Sequence, residues 1–252
     1  MAQTTWNTEL YNQKHDFVTQ YGESVVELLN PRPHETILDL GCGSGELTAT
    51  IATSCAHAIG CDAAATMISK AKQNFPQINF ICHNAESPLP LPANSLDAVF
   101  SNAALHWMMN ASAVAKNVYN LLKSGGRFVF EMGGHGNVAM VLHSIELAAK
   151  DFGLNDLPLI NFYPSIGEYA TILEQAGFNV AFATRFERPT LLDGEHGLAN
   201  WVVMFRNNVL QQLPAEQHQH FLTAVESHGR EQLYQDNHWV ADYVRLRMIA
   251  YK

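Results

Sequence analysis

Apolar residues recur along this chain in two rhythms. Short stretches at 36–40, 57–61, 78–82, 96–101 and 127–132 read as buried strands, bounded by Gly, Pro, Asn or Asp. Between them the apolar positions fall at helical spacing over 46–54, 63–75 and 111–122, with Met67, Ile68 and Ala71 sharing a face. An earlier helix, over about 16–29, stops ahead of Pro31 and Pro33. Gly125-Gly126 is expected to cap the 111–122 helix. This alternation predicts a parallel, doubly wound sheet. After residue 132 the rhythm breaks into a glycine-led loop, a helix over 138–150 and a second loop. An amphipathic helix over 166–176, a strand over 179–186, a helical stretch over 190–235 and an alternating final strand over 243–249 follow. The two added helical segments each come after a strand end, so they are expected to fold over one face as a cap. One domain results, with a core of about 30–133, 164–188 and 240–252 and cap segments of about 134–163 and 190–238.

The first strand runs into alternating glycines at Gly41, Gly43 and Gly45, and a helix follows at once. A buried strand that breaks into a glycine turn at a helix mouth lets a ligand lie against bare backbone. A dinucleotide loop needs G-x-G-x-x-G, and the position of its third glycine holds Glu46, or Thr48 if counting starts at Gly43. Asp39, two residues ahead of Gly41, would repel a phosphate. It suits a ligand with a positive centre and an amino acid tail.

Composition narrows the class. Of 252 residues, 47% are hydrophobic and 15% charged, which fits a globular protein. A formal charge of −9 argues against a nucleic-acid substrate. No apolar run is long enough for a membrane span, and the opening residues lack a secretion signal, so a cytoplasmic protein is expected. Cys42, Cys55, Cys61 and Cys82 show no CxxC spacing, and buried thiols are the plain reading. His218 and His220 point to different sides of a helix, so no metal site is expected.

These residues carry a resemblance. Asp39-x-Gly41-x-Gly43-x-Gly45 resembles the signature of class I S-adenosylmethionine-dependent methyltransferases, with Asp62 as the acidic residue that accepts from both ribose hydroxyls. Asn84-Ala85-Glu86 is similar to the family's adenine-edge segment, and residues 102–107 to the segment bordering the methyl group. Residues 122–127 are similar to its turn into strand five. The fold expected is α/β, a Rossmann-like doubly wound seven-stranded sheet, mostly parallel with an antiparallel last strand, plus the helical cap. The resemblance implies S-adenosyl-L-methionine as cofactor, held by Asp39, Gly41, Cys42, Gly43, Gly45, Asp62, Ala63, Met67, Asn84, Ala85, Glu86, Asn102 and His106. Trp6-Asn7, Tyr11 and His106-Trp107 look similar to trans-aconitate methyltransferases, and Ala85-Glu86 with 102–107 to the malonyl-carrier-protein methyltransferases. Both subgroups make methyl esters, but His106 stands where they favour Gln.

The acceptor is accordingly expected to be a small molecule, methylated at a carboxylate or hydroxyl oxygen, with Tyr11, Trp107, Tyr163 and Arg206 as substrate contacts. A carboxylate needs a cation rather than a base, and Arg206, Arg245 and Arg247 are candidates. Arg245 and Arg247 are two apart on a strand and so are expected to share a sheet face, where salt bridges are the plainer reading of either. A carbon acceptor would need a base, for which His106 is the catalytic candidate. Glu131 either faces substrate or is a paired carboxylate, and Asp97 is expected to anchor a loop. The remaining alternative is a regulator that binds the cofactor without turnover.

Overall fold

The computed structural model describes the backbone of residues 16–252, with side chains from Gly22 onward. Tyr11 and Trp6 lie outside the described residues. The chain forms α1 (Asp16–Leu29), β1 (Thr36–Leu40), α2 (Glu46–Ala52), β2 (His57–Asp62), α3 (Ala65–Asn74), β3 (Asn79–Cys82), β4 (Leu96–Asn102), α4 (Ala111–Leu121) and β5 (Leu122–Gly133). There follow α5 (Ala139–Asp151), α6 (Ile166–Gln175), β6 (Asn179–Glu187), β7 (Thr190–Leu192), α7 (Gly197–Phe205), α8 (Asn207–Leu210) and α9 (His218–Leu233). The last strands are β8 (Tyr234–Gln235), β9 (His238–Ala241) and β10 (Val244–Tyr251).

A seven-stranded sheet takes the order β3-β2-β1-β4-β5-β10-β6. β1 pairs in parallel with β2 and β4, β2 with β3, and β4 with β5. β10 runs the other way beside β5: the Gly125 amide donates to the Lys252 carbonyl, while Glu131, further along β5, meets Arg247, nearer the start of β10. The last strand is therefore antiparallel, as expected. Period-two alternation sends the central strands' side chains to both faces. Leu38, Leu40, Val99, Phe128 and Phe130 pack with Val114 and Val118 of α4 and Tyr169 and Leu173 of α6. Ile37, Ala98, Phe100 and Val129 pack with Val25, Val26 and Leu29 of α1 and Ile51 of α2. Helices on both faces make the sheet doubly wound.

The chain divides into two compact units. The first holds the seven-stranded sheet, with residues up to His135, Asn161–Arg185 and Leu246–Lys252. The second comprises Gly136–Ile160 and Phe186–Arg245. In the second unit α9 packs along α5, with Phe152 edge-on to Phe221 at 5.5 Å between ring centroids. It also contains a three-stranded antiparallel sheet, β7-β9-β8. This corrects the reading of 190–235 as helical throughout. Thr190 and Leu192 are buried while Leu191 is exposed, a period of two that a three-residue strand is too short to reveal. Asp236 and Asn237, both at positive φ, close β8 onto β9, so Asp-Asn does the work more often done by Asn-Gly.

Gly125-Gly126 is a second correction. α4 ends at Leu121 and passes directly into extended backbone at Leu122. The two glycines lie inside β5. Gly126 is needed there because a Cβ would come 2.9 Å from the Lys123 carbonyl oxygen.

Arg127 ties α1 to the sheet. Its Nη1 and Nη2 donate to the two oxygens of Glu35 at 2.7 and 2.8 Å, and its Nε and Nη2 donate to the carbonyls of Leu29 and Asn30. Orphan carbonyls at the end of α1 are thereby satisfied. Burial pushes the Glu35 pKa up, but hydrogen bonds from Arg127 and the Arg32 amide outweigh it and leave it lowered. Arg127→Met leaves the buried Glu35 carboxylate without its cation. The expected loss is about 3 kcal/mol of stability, read from urea unfolding midpoints.

Candidate active site

Gly41, Gly43 and Gly45 all have positive φ, at 79°, 54° and 93°. The loop is tied to the end of β2, since the amides of Gly41 and Cys42 both donate to the Cys61 carbonyl. The three glycines have different reasons. A Cβ on Gly41 would sit 2.1 Å from the Ala104 Cβ, and one on Gly45 2.8 Å from the Phe80 ring. Those two are required by packing. A Cβ on Gly43 would meet nothing within 4 Å. The backbone is laid bare at Gly43.

Asp62, at the end of β2, faces the same turn. Its Oδ2 accepts from the Gly43 amide at 3.0 Å and its Oδ1 from the Ala64 amide at 2.8 Å. A carboxylate offers about four lone-pair positions, so acceptor capacity for a diol remains. Burial raises the Asp62 pKa against these amide bonds. Asp39, buried on β1, accepts from the Thr48 hydroxyl at 2.6 Å. Its pKa is pushed up to about 7: burial drives the rise, the Thr48 hydroxyl opposes it, and the charges of Asp62 and Glu46 add to it.

A carboxyl whose pKa is raised on folding binds its proton more tightly in the native state. Its contribution to stability is full below the unfolded value of about 4 and is lost as pH climbs to about 7. Wild type is therefore expected to lose stability relative to Asp39→Asn across that window. Urea midpoints at pH 4.5 and 7.5 for the two proteins check this, and parallel pH dependences would remove the assignment.

The Asn84 Oδ1 accepts from the Glu86 amide, a side-chain turn that shapes the loop after β3. The Glu86 carboxylate accepts from the Asn110 amide, and Asn110 in turn caps α4 by accepting from Ala113. Ala85 is buried and its carbonyl accepts from the Asn117 side chain. Ala63 follows Asp62, with its carbonyl facing the Cys82 thiol, while Met67 is buried on α3 and Cys42 within the glycine loop. Burial pushes the Cys42 thiol far up and the Cys61 thiol to about 12, so neither is a nucleophile. Asn102 ends β4 in register with Glu131, and Ala103 turns away at φ 55°.

His106 lies in the short 3-10 turn Leu105–Trp107, just after β4, and is buried. Its Nδ1 accepts from the Gly133 amide at 3.2 Å. Its carbonyl accepts from the Phe162 amide at 2.9 Å and the Asn161 Nδ2 at 3.3 Å. The rings of Trp107 and Tyr163 lie 5.5 and 5.6 Å from the imidazole. The structure thus brings Trp107 and Tyr163 to His106, and gathers Gly43, Ala63 and Cys42 around Asp62. Thr48, Gly133 and Asn161 belong to these clusters and were not singled out in the sequence, since each acts through one hydrogen bond across a fold. For Thr48 alone there was a signal: a hydroxyl on the first turns of a helix facing an apolar strand.

The arginines divide. Arg247 pairs with the buried Glu131 through Nε and Nη2, at 2.9 and 2.6 Å, and reaches Ser24. Glu131 is therefore a paired carboxylate, and Arg247 its partner. Arg206, in the second unit, is buried, donates to the Phe205 carbonyl and lies 5.7 Å from the Trp201 ring. Arg245 lies 4.5 Å from the Tyr243 ring. Asp97 anchors, as expected, receiving the Thr36 amide and Lys123. Among the described residues no group of three potential ligands could hold a metal, and no helix is long and apolar enough to cross a membrane.

A family model described as a methyltransferase domain matches residues 38–130, which run from β1 into β5. Over the full length of both proteins the chain is 32% identical to an uncharacterized methyltransferase of Schizosaccharomyces pombe. It is 27% identical to a trans-aconitate 2-methyltransferase of Deinococcus radiodurans over 78% of this chain and 79% of that one. An S-adenosylmethionine dependent methyltransferase from Mesorhizobium loti superposes with a TM-score of 0.56 at 15% identity, covering 91% of this chain and 96% of that one, a likeness of fold alone. With the full-length identity, the domain match and the glycine turn in agreement, the chain belongs to the S-adenosylmethionine-dependent methyltransferases.

Proposed function

We propose that this enzyme methylates an oxygen of a small-molecule carboxylate. The observation that carries the reading is the hydrogen bond from the Gly133 amide to the His106 Nδ1. An imidazole nitrogen that accepts from a backbone N–H is unprotonated, so the ring proton sits on Nε2. In that tautomer His106 is a hydrogen-bond donor and does not serve as a base through Nε2. A donor suits an acceptor that already carries its negative charge. The Deinococcus radiodurans relative is named for a carboxylate substrate, which favours the same class.

The residues fit the cofactor. The bare backbone at Gly43 leaves room for it, and Asp62 keeps acceptor capacity for the ribose hydroxyls. Asp39 would offset the positive charge of the amino acid tail, and Asn84, Ala85 and Glu86 would border the adenine. Asn102 and His106 would border the reacting methyl. When bound, S-adenosylmethionine would supply a sulfonium methyl to the carboxylate oxygen, the electron pair of the broken S–C bond staying on sulfur, and the chain would have no proton to move. The chain's part is to orient the carboxylate and exclude water, which is worth roughly 7–11 kcal/mol of barrier in well-oriented reactions. Trp107 and Tyr163 would flank the acceptor.

The test is His106→Asn. Asparagine can accept from Gly133 through Oδ1 and donate through Nδ2, so kcat at saturating cofactor is expected to stay within about tenfold of wild type. General-base catalysis contributes about 10²–10⁴-fold. A loss in that range, recovered in part at high pH, would overturn the donor role and point to a carbon acceptor with His106 as base.

A further inference from the structure

We infer that Asn161 belongs to the acceptor-binding site, and that its Oδ1 receives a hydrogen bond from a donor group, a hydroxyl or ammonium, carried by the methyl acceptor beside its carboxylate. The inference rests on the carboxylate reading above and adds a substrate class to it. Asn161 is 3% exposed, and its Oδ1 is buried with no hydrogen-bond partner among the described residues. The orientation of the amide follows from chemistry. Nδ2 donates to the His106 carbonyl at 3.3 Å, and turning the amide over would set oxygen against oxygen. The acceptor left over is therefore the carbonyl end. A buried acceptor without a donor is uncommon and costly, and calls for a ligand or a bound water.

Position favours the acceptor over the cofactor. In an open α/β sheet ligands bind beyond the carboxyl ends of the strands, at the point where strand order reverses. Here that point lies between β1 and β4. The glycine turn, Asp62 and the Asn84–Glu86 loop follow β1, β2 and β3 on one side of it. Asn161 is fastened on the other side, to the turn after β4, where the Phe162 amide also donates to the His106 carbonyl and the Gly133 amide at the end of β5 holds the imidazole. The Trp107 and Tyr163 rings flank that imidazole. Asn161 thus adds an uncharged acceptor to a cluster whose His106 is a donor.

Matched acceptors test this, with transfer of labelled methyl from S-adenosylmethionine as the readout. Citrate differs from tricarballylate by one hydroxyl; malate and aspartate differ from succinate by a hydroxyl and an ammonium. Sites built to bond a hydroxyl discriminate strongly against analogues that lack it, so the donor-bearing member should lead by at least about tenfold in kcat/KM. Asn161→Leu should shrink that lead to under about threefold while S-adenosylhomocysteine binds within about threefold of wild type. A lead for aspartate over malate assigns the donor as ammonium, and the reverse assigns it as hydroxyl; either supports the inference. Equal transfer to both members of each set by wild type, which needs no variant to fold, overturns it in favour of a structural water and leaves the carboxylate reading intact. Transfer to none of these acids overturns the carboxylate reading and the inference with it.

Discussion

Asp62→Ala is expected to bind S-adenosylmethionine at least about 100-fold more weakly than wild type. Hydrogen bonds to charged groups contribute roughly 1.5–3 kcal/mol each, and a ribose diol makes two, so their joint loss reaches about 3 kcal/mol or more. The change also releases the amides of Gly43 and Ala64, which the carboxylate now holds at 3.0 and 2.8 Å. Asp62→Asn keeps one acceptor and should fall between the two. Titration calorimetry with S-adenosylhomocysteine reads the effect, and thermal melts establish that the variants are folded. An alanine variant that binds within threefold of wild type would remove Asp62 from the site.

The second large effect separates two glycines that look alike in sequence. Gly41→Ala places a Cβ 2.1 Å from that of Ala104 at a φ of 79°. Left-handed backbone costs a non-glycine residue roughly 1–2 kcal/mol, and overpacking a well-filled site about 1–3 kcal/mol. At about 2–4 °C per kcal/mol for a chain of this size, the melting temperature should drop by roughly 5–15 °C. Gly43→Ala carries only the backbone cost, because its Cβ meets nothing within 4 Å. That variant should melt within about 8 °C of wild type yet lose cofactor binding. A Gly43 variant that binds normally would move the ligand away from the turn.

The sheet was legible because its strands are short apolar runs separated by helices with well-spaced apolar faces, as at 96–101 and 111–122. The turn after β1 was legible because glycines alternating at Gly41, Gly43 and Gly45 mark backbone at positive φ, and the aspartate ending the next strand meets that turn. What stayed hidden depends on partners far away in sequence. Gly41 and Gly45 answer to Ala104 and Phe80, which no local pattern announces. The backbone amide that meets the His106 Nδ1 belongs to Gly133, 27 residues later, which no local pattern around His106 announces. The three-stranded sheet escaped because strands of two to four residues are shorter than any window in which alternation is visible. A salt bridge was the plainer reading of Arg247, but its partner Glu131 stands 116 residues earlier and could not be named from the sequence.

That last pair has a consequence for how the enzyme is made. β10 lies between β5 and β6, and the arginine that neutralises Glu131 follows it by 116 residues. Ribosomes add about 5–20 residues each second, so roughly 6–23 s separate the emergence of the two. Through that interval the nascent protein carries a carboxylate awaiting its cation and an unpaired ladder along β5, the kind of edge on which growing polypeptides adhere to one another. Synthesis is therefore the stage at which the free edge of β5 waits for its neighbour.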